Sequence, residues 1–92
     1  PPRLMVDCSH ANSGKKHDHQ PAVWHNLIQQ RAAGETGPSP VIGIMLESNL
    51  HEGRQPMAKD GEELKYGVSI TDACLGWRDT EALLRETYDK LR

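Results

Sequence analysis

Three residues of this 92-residue chain offer the donor types of a metal site: His10 an imidazole nitrogen, and Glu47 and Asp72 carboxylates. A mixed nitrogen and oxygen set of this kind suits a divalent ion such as Mn, Fe, Co or Zn. Glu47 is the most telling of the three. It follows the apolar run Val41-Ile42-Gly43-Ile44-Met45-Leu46 directly, so its carboxylate is expected to be partly buried. A buried carboxylate is costly unless it is paired, hydrogen-bonded or bound to a cation. Each residue also has a structural reading. Glu47 turns outward into a surface ion pair, His10 is a satisfied loop residue, and Asp72 is a turn residue after Thr71. Spacing alone leaves both readings open.

Other chemistry-bearing signals are weaker. Cys8 lies two residues before His10, so on a strand the two share a face and a Cys8/His10 metal pair is geometrically allowed. The competing reading of Cys8 is a small apolar core residue. His17-Asp18-His19 has chelate spacing but sits in a polar stretch and reads as a solvated turn. Ser13-Gly14-Lys15-Lys16 resembles the end of a P-loop, yet position 9 is Ser and position 16 is Lys, against the motif. Lys15 retains the option of meeting a phosphate near a helix start. His51-Glu52 lacks the second His of a zinc-protease motif. Trp24 and Trp77 read as packing residues.

The elements that must position these groups follow from the apolar pattern. Leu4-Met5-Val6-Asp7-Cys8 reads as a strand ending in the turn-rich Ser9–Gly14. Pro21 suits a first helical position, and Val23, Trp24, Leu27, Ile28 and, roughly, Ala32 fall on one helical stripe, with Gly34 as a stop. A polar Glu35–Pro40 connection leads to Val41–Leu46. Such an unbroken apolar run is expected of a parallel strand covered on both faces. A polar stretch runs from His51 to about Lys65, Tyr66–Asp72 reads as a short extended piece, and a last helix is expected from Asp79 or Thr80, with Leu84, Tyr88 and Leu91 at helical spacing. The order is β-α-β-loop-α, two neighbouring βα units of a parallel sheet. His10 and Glu47, 37 residues apart, each follow a strand's C-terminal end, where β/α barrels build their sites.

Bulk properties narrow the classes. Net charge is −2, with 11 basic and 13 acidic residues and no basic block beyond Lys15-Lys16, which argues against nucleic acid as a partner. No apolar run approaches the roughly 20 residues of a membrane span, and no signal peptide opens the chain. Phe is absent, with two Trp, two Tyr, six Pro and eight Gly, little aromatic mass for a self-sufficient core. The Pro1-Pro2-Arg3-Leu4 opening, without an initiator Met, suggests that sequence is missing upstream. Cys8 and Cys74 form no CxxC. Two reduced thiols are expected, which fits a cytoplasmic location.

Three segments then carry a family resemblance. Asp7-Cys8-Ser9-His10-Ala11-Asn12-Ser13 resembles the D-x-S-H-A-N-S segment of the type I 3-deoxy-D-arabino-heptulosonate 7-phosphate (DAHP) synthases. Ile42–Leu50, with Glu52-Gly53 and Gln55, resembles their IGVMxESxLxEGxQ stretch. Tyr66–Trp77 resembles YGxSxTDACIGW, and Asp79–Leu84 fits the opening of the final helix. The resemblance spans nearly the whole chain in one collinear order. It implies that residues 1–92 are a C-terminal fragment of one (β/α)8 TIM-barrel domain, strands seven and eight with their helices. It implies His10, Glu47 and Asp72 as three of four metal ligands, the fourth being a cysteine on an early strand that neither Cys8 nor Cys74 matches. The implied reaction condenses phosphoenolpyruvate with erythrose 4-phosphate, the first step of the shikimate pathway, with His10 and Asp72 as the catalytic residues of this segment. The implied whole enzyme is a homo-oligomer. Such a barrel takes about 250 residues, so the segment alone is expected to be inactive. The alternative is a stand-alone metal-binding or interaction module derived from the barrel.

Overall fold

A computed structural model describes residues 3–33, 39–59 and 62–92 of the chain. Strand β1 (Leu4–Asp7) leads through 3-10 turns at His10–Ser13 and His17–His19 into helix α1 (Gln20–Ala33). Strand β2 (Val41–Met45) follows, and after a long non-helical segment helix α2 (Trp77–Leu91) closes the order. The strands pair in parallel, with Met5 opposite Gly43, Val6 opposite Ile44 and Asp7 opposite Met45, after an irregularity between Leu4 and Met5. Parallel neighbours need a long crossover, and α1 supplies it. The β-α-β-loop-α order expected from the sequence is the order observed.

The core is small. Cys8, Trp24, Leu27, Ile28, Val41, Leu75 and Leu83 are buried together, with Val6, Val23, Ile44 and Leu46 packed against them. Trp24, Leu27 and Ile28 are the predicted stripe of α1, while Ala32 is exposed and Gly34 lies outside the described residues. The Trp24 indole Nε1–H donates to Thr87 Oγ1 at 2.7 Å and ties α1 to α2. Arg31 Nη1 donates to the Val41 carbonyl at 2.7 Å and ties α1 to the start of β2.

Four expectations need correction. The last helix starts at Trp77 rather than Asp79 or Thr80, because the Gly76 carbonyl already accepts the Thr80 N–H at 3.1 Å and the Thr80 hydroxyl at 3.0 Å. Its Leu84, Tyr88 and Leu91 are exposed, and the helix instead buries Thr80 and Leu83. Strand β2 is not covered on both faces: Ile42 is 60 % and Met45 38 % exposed, beside Met5 of β1 at 68 %. Tyr66–Asp72 is a turn with an isolated bridge at Ser69, not an extended strand.

Candidate metal centre

The 3-10 turn after β1 aims His10 back over the strand ends. His10 itself has φ 53°, a left-handed backbone that few non-glycine residues adopt. Asp7, the last residue of β1, organises the turn. Its carboxylate accepts the Ser9 N–H at 2.8 Å and the Ser9 hydroxyl, and its other oxygen lies 2.8 Å from His10 Nδ1. The Asn12 amide donates to the Asp7 carbonyl at 2.7 Å. These bonds fix the imidazole with Nε2 pointing away from Asp7.

Glu47 stands two residues past β2, where the strand ladder has ended. Its backbone is held from two directions. On one side the Gln20 carboxamide accepts the Glu47 N–H at 2.9 Å and donates to the Glu47 carbonyl at 3.1 Å. On the other side the Leu75 N–H donates to the same carbonyl at 3.0 Å. Ser48 Oγ lies 2.6 Å from Thr80 Oγ1 and links the following residue to α2.

Asp72 reaches the site because the segment between β2 and α2 folds back on itself. Gly53 and Cys74 exchange backbone bonds at 2.8 and 3.1 Å, and the Gln55 N–H donates to the Ser69 carbonyl at 2.7 Å. The Gln55 carboxamide bonds the Lys65 N–H and carbonyl and the Val68 carbonyl, at 2.8–2.9 Å. Gly67 makes this return possible. Its φ is +76°, and a Cβ there would fall 2.8 Å from Leu50 Cβ, closer than any side chain tolerates.

The result is a convergence of residues distant in sequence. His10 Nε2 lies 3.1 Å from Glu47 Oε1 and 3.1 Å from Asp72 Oδ2. One donor atom from each of the three falls within 4.8 Å of the others. The Glu47 side chain is 22 % exposed, so its carboxylate is the most sheltered of the three. A hydrogen bond with Asp7 first, and then the charges of Glu47, Asp7 and Asp72, push the His10 pKa above its ordinary 6.5, against the pull of desolvation. Hydrogen bonds from Ser9 first and then His10 hold the Asp7 carboxyl below its ordinary 3.8. The donor set fits a divalent ion. Its nitrogen donor faces two carboxylate oxygens while the other ring nitrogen is held by a carboxylate, the usual orientation of a metal-ligating histidine.

Among the remaining candidates, Cys8 is fully buried in the core and burial pushes its thiol up to about 11. A neutral core thiol is a poor ligand, since metals take the thiolate. Cys8 and Cys74 are both free. His17, in the second 3-10 turn, lies 3.6 Å from Glu52 and does not join the three. Lys15 and His17 line the small cleft around His10, Glu47 and Asp72. Trp24 is a packing residue as expected, but Trp77 is half exposed. The sequence reading missed the supporting residues Asp7 and Gln20. A strand-terminal Asp three residues before a His was a usable signal for the first. Nothing in the periodicity marked the second.

The sequence model of the DAHP synthetase I family matches residues 1–85. A Tyr-sensitive phospho-2-dehydro-3-deoxyheptonate aldolase of Escherichia coli K12 is 50% identical over 90 residues, 98% of this chain and 24% of that protein. One from Alternaria alternata is 55% identical over 86 residues, 92% of this chain and 22% of that protein. A tyrosine-inhibited relative in Schizosaccharomyces pombe is 45% identical over 97 residues, covering this chain completely and 25% of its own length. A solved structure of the aldolase from Francisella tularensis SCHU S4 superposes with a TM-score of 0.82 at 34% identity, over 97% of this chain and 24% of that one. The chain spans about a quarter of the length of these relatives. Among the described residues no helix is long and apolar enough to cross a membrane.

Proposed function

The chain belongs to the DAHP synthetase I family, and we propose that it forms the C-terminal quarter of a metal-dependent DAHP synthase, strands seven and eight of a (β/α)8 barrel with their helices. In this reading the whole enzyme condenses phosphoenolpyruvate with erythrose 4-phosphate. His10, Glu47 and Asp72 hold its divalent ion, and His10 and Asp72 are the catalytic residues this segment contributes. The observation that carries the reading is the convergence of the three donor atoms within 4.8 Å, from positions as far apart as 10 and 72.

An ion held there would serve as a Lewis acid on the aldehyde oxygen of erythrose 4-phosphate. The methylene carbon of phosphoenolpyruvate attacks that aldehyde carbon, water adds to the neighbouring carbon that bears the phosphate ester, and inorganic phosphate leaves from that same carbon. The chain's own part is placement. Asp7 holds Nδ1 of His10, which reserves Nε2 for the ion. Gln20 and Leu75 hold the Glu47 backbone, which fixes where its carboxylate starts. Asp72, 60 % exposed, has room to meet a hydroxyl of the aldose as well.

The test is made in the whole synthase. Glu47→Ala is expected to remove an anionic ligand and lower turnover at least about a hundredfold, comparable to losses on removing a group that acts in the transition state. Exhaustive chelation is expected to abolish wild-type turnover, and turnover that survives it overturns the ligand assignment.

A further inference from the structure

We infer that Gln20 is a positioning residue for Glu47, acting as a one-residue extension of the sheet where the strands have run out. The β1–β2 ladder ends at the pairing of Asp7 with Met45, followed by the Cys8 N–H donating to the Met45 carbonyl at 2.8 Å. Glu47 lies beyond that point, where the Leu75 N–H reaches its carbonyl and its own N–H needs another partner. The Gln20 carboxamide has the donor and acceptor of a peptide group, and it uses both on Glu47, at 2.9 and 3.1 Å.

Gln20 is fully buried, with 0 % of its surface exposed. A buried carboxamide with both ends committed to one residue is a rigid clasp. It restrains the backbone of Glu47, and with it the direction of the Cα–Cβ bond that launches the carboxylate toward His10 Nε2, 3.1 Å away. Gln20 also opens α1, so the clasp couples the crossover helix to the site. It touches neither His10 nor Asp72 through a hydrogen bond, so its effect runs through Glu47.

This inference rests on the metal reading of the three residues, and its test separates the two. Gln20→Met keeps the length and apolar bulk of the side chain and deletes both bonds. Trp24→Phe serves as the comparison: it deletes the partly buried bond to Thr87, away from the site. Three quantities are read on the whole synthase: Glu47 amide hydrogen exchange, the nuclear Overhauser contact between the His10 ring and the Glu47 side chain, and Mn2+ affinity by electron paramagnetic resonance. Gln20→Met is expected to speed Glu47 exchange at least tenfold, to lose the His10–Glu47 contact, and to weaken Mn2+ binding at least tenfold. Trp24→Phe is expected to lower the unfolding midpoint while leaving all three within twofold. Unchanged Glu47 exchange overturns the inference, and so does faster exchange with unchanged Mn2+ affinity. If the wild-type synthase binds no Mn2+, the metal reading fails, and the His10–Glu47 contact alone decides the positioning role: its loss in Gln20→Met supports it, its retention overturns it.

Discussion

The Asp7 carboxylate and the His10 imidazole meet at 2.8 Å on the ring edge opposite the nitrogen that faces Glu47 and Asp72. One acidic side chain, the last of its strand, therefore sets both the tautomer and the tilt of the nitrogen donor. Asp7→Asn preserves the shape but cannot hold the imidazole as a carboxylate does. We expect metal affinity to fall about 10–100-fold, the usual loss on removing an outer-shell partner. The His10 pKa should move down toward 6.5, since Asp7 is the first cause of its elevation. Nuclear magnetic resonance titration of His10 with a parallel Mn2+ titration reads both. An unchanged His10 titration would falsify the assignment of Asp7 as its partner.

The same pair sets a pH window for stability. The His10 pKa is raised on folding, so its contribution is complete below 6.5 and is lost as pH rises through the folded value. The Asp7 pKa is lowered, so its contribution is present above 3.8 and is lost as pH falls through the folded value. The metal-free protein is therefore expected to have its highest urea midpoint between these limits. The effect should be modest and salt-sensitive, because both groups are solvent-accessible. Metal binding should show the opposite slope above pH 6.5, since the ion competes with the His10 proton. A metal-free midpoint that climbs from pH 6.5 to 8 would contradict the His10 shift.

Thiol chemistry separates core from site. Cys8 is fully buried, with its thiol pushed up to about 11, whereas Cys74 is only partly buried. Iodoacetamide with mass spectrometry should label Cys74 first and reach Cys8 only on unfolding. Cys8→Ala should leave Mn2+ affinity unchanged. A large drop in affinity would return Cys8 to the ligand set.

The small core makes single contacts expensive. Leu75 is 1 % exposed and packs with six other buried apolar side chains. Leu75→Ala should cost about 2–5 kcal/mol, the range for deleting a buried Leu side chain, read as a lowered urea midpoint. Met5 and Ile42 beside the open strand edges should drive association at micromolar concentration. Sedimentation of Ile42→Lys against wild type checks this. A wild type that is monomeric and unfolds in one sharp transition would show that the exposed strand face is tolerated as it stands.

Catalysis gives the last expectation. The isolated 92 residues should not consume phosphoenolpyruvate in the presence of erythrose 4-phosphate and Mn2+. Three candidate ligands with Lys15 and His17 beside them are a thin basis for binding two phosphorylated substrates, which rely on charge-assisted contacts. Turnover near that of a whole synthase would mean that this segment contains a complete site.

Much of this structure was legible from residue order. The strands and the crossover helix follow from apolar runs ending abruptly in polar residues, whereas residue order offered His10, Glu47 and Asp72 only as separate candidates, and the family resemblance alone implied them as one ligand set. What stayed hidden was long-range or local geometry. Leu84, Tyr88 and Leu91 have helical periodicity, but periodicity does not say which stripe of a helix finds a partner, and here Thr80 and Leu83 do. Gln20 carries no pattern because its partners are backbone groups 27 residues away. The return of Tyr66–Asp72 depends on Gly67 sliding under Leu50, a tertiary contact no local propensity encodes.

The left-handed backbone of His10 has a bearing on how the segment tolerates change. An L-residue in that conformation gives up about 1–2 kcal/mol that glycine keeps. His10→Gly would thus relax the turn while deleting the nitrogen donor, so stability and metal binding favour different residues at position 10. A library randomised at this position and sorted for thermal resistance should drift toward Gly and Asn. The same library sorted on Mn2+ should return His.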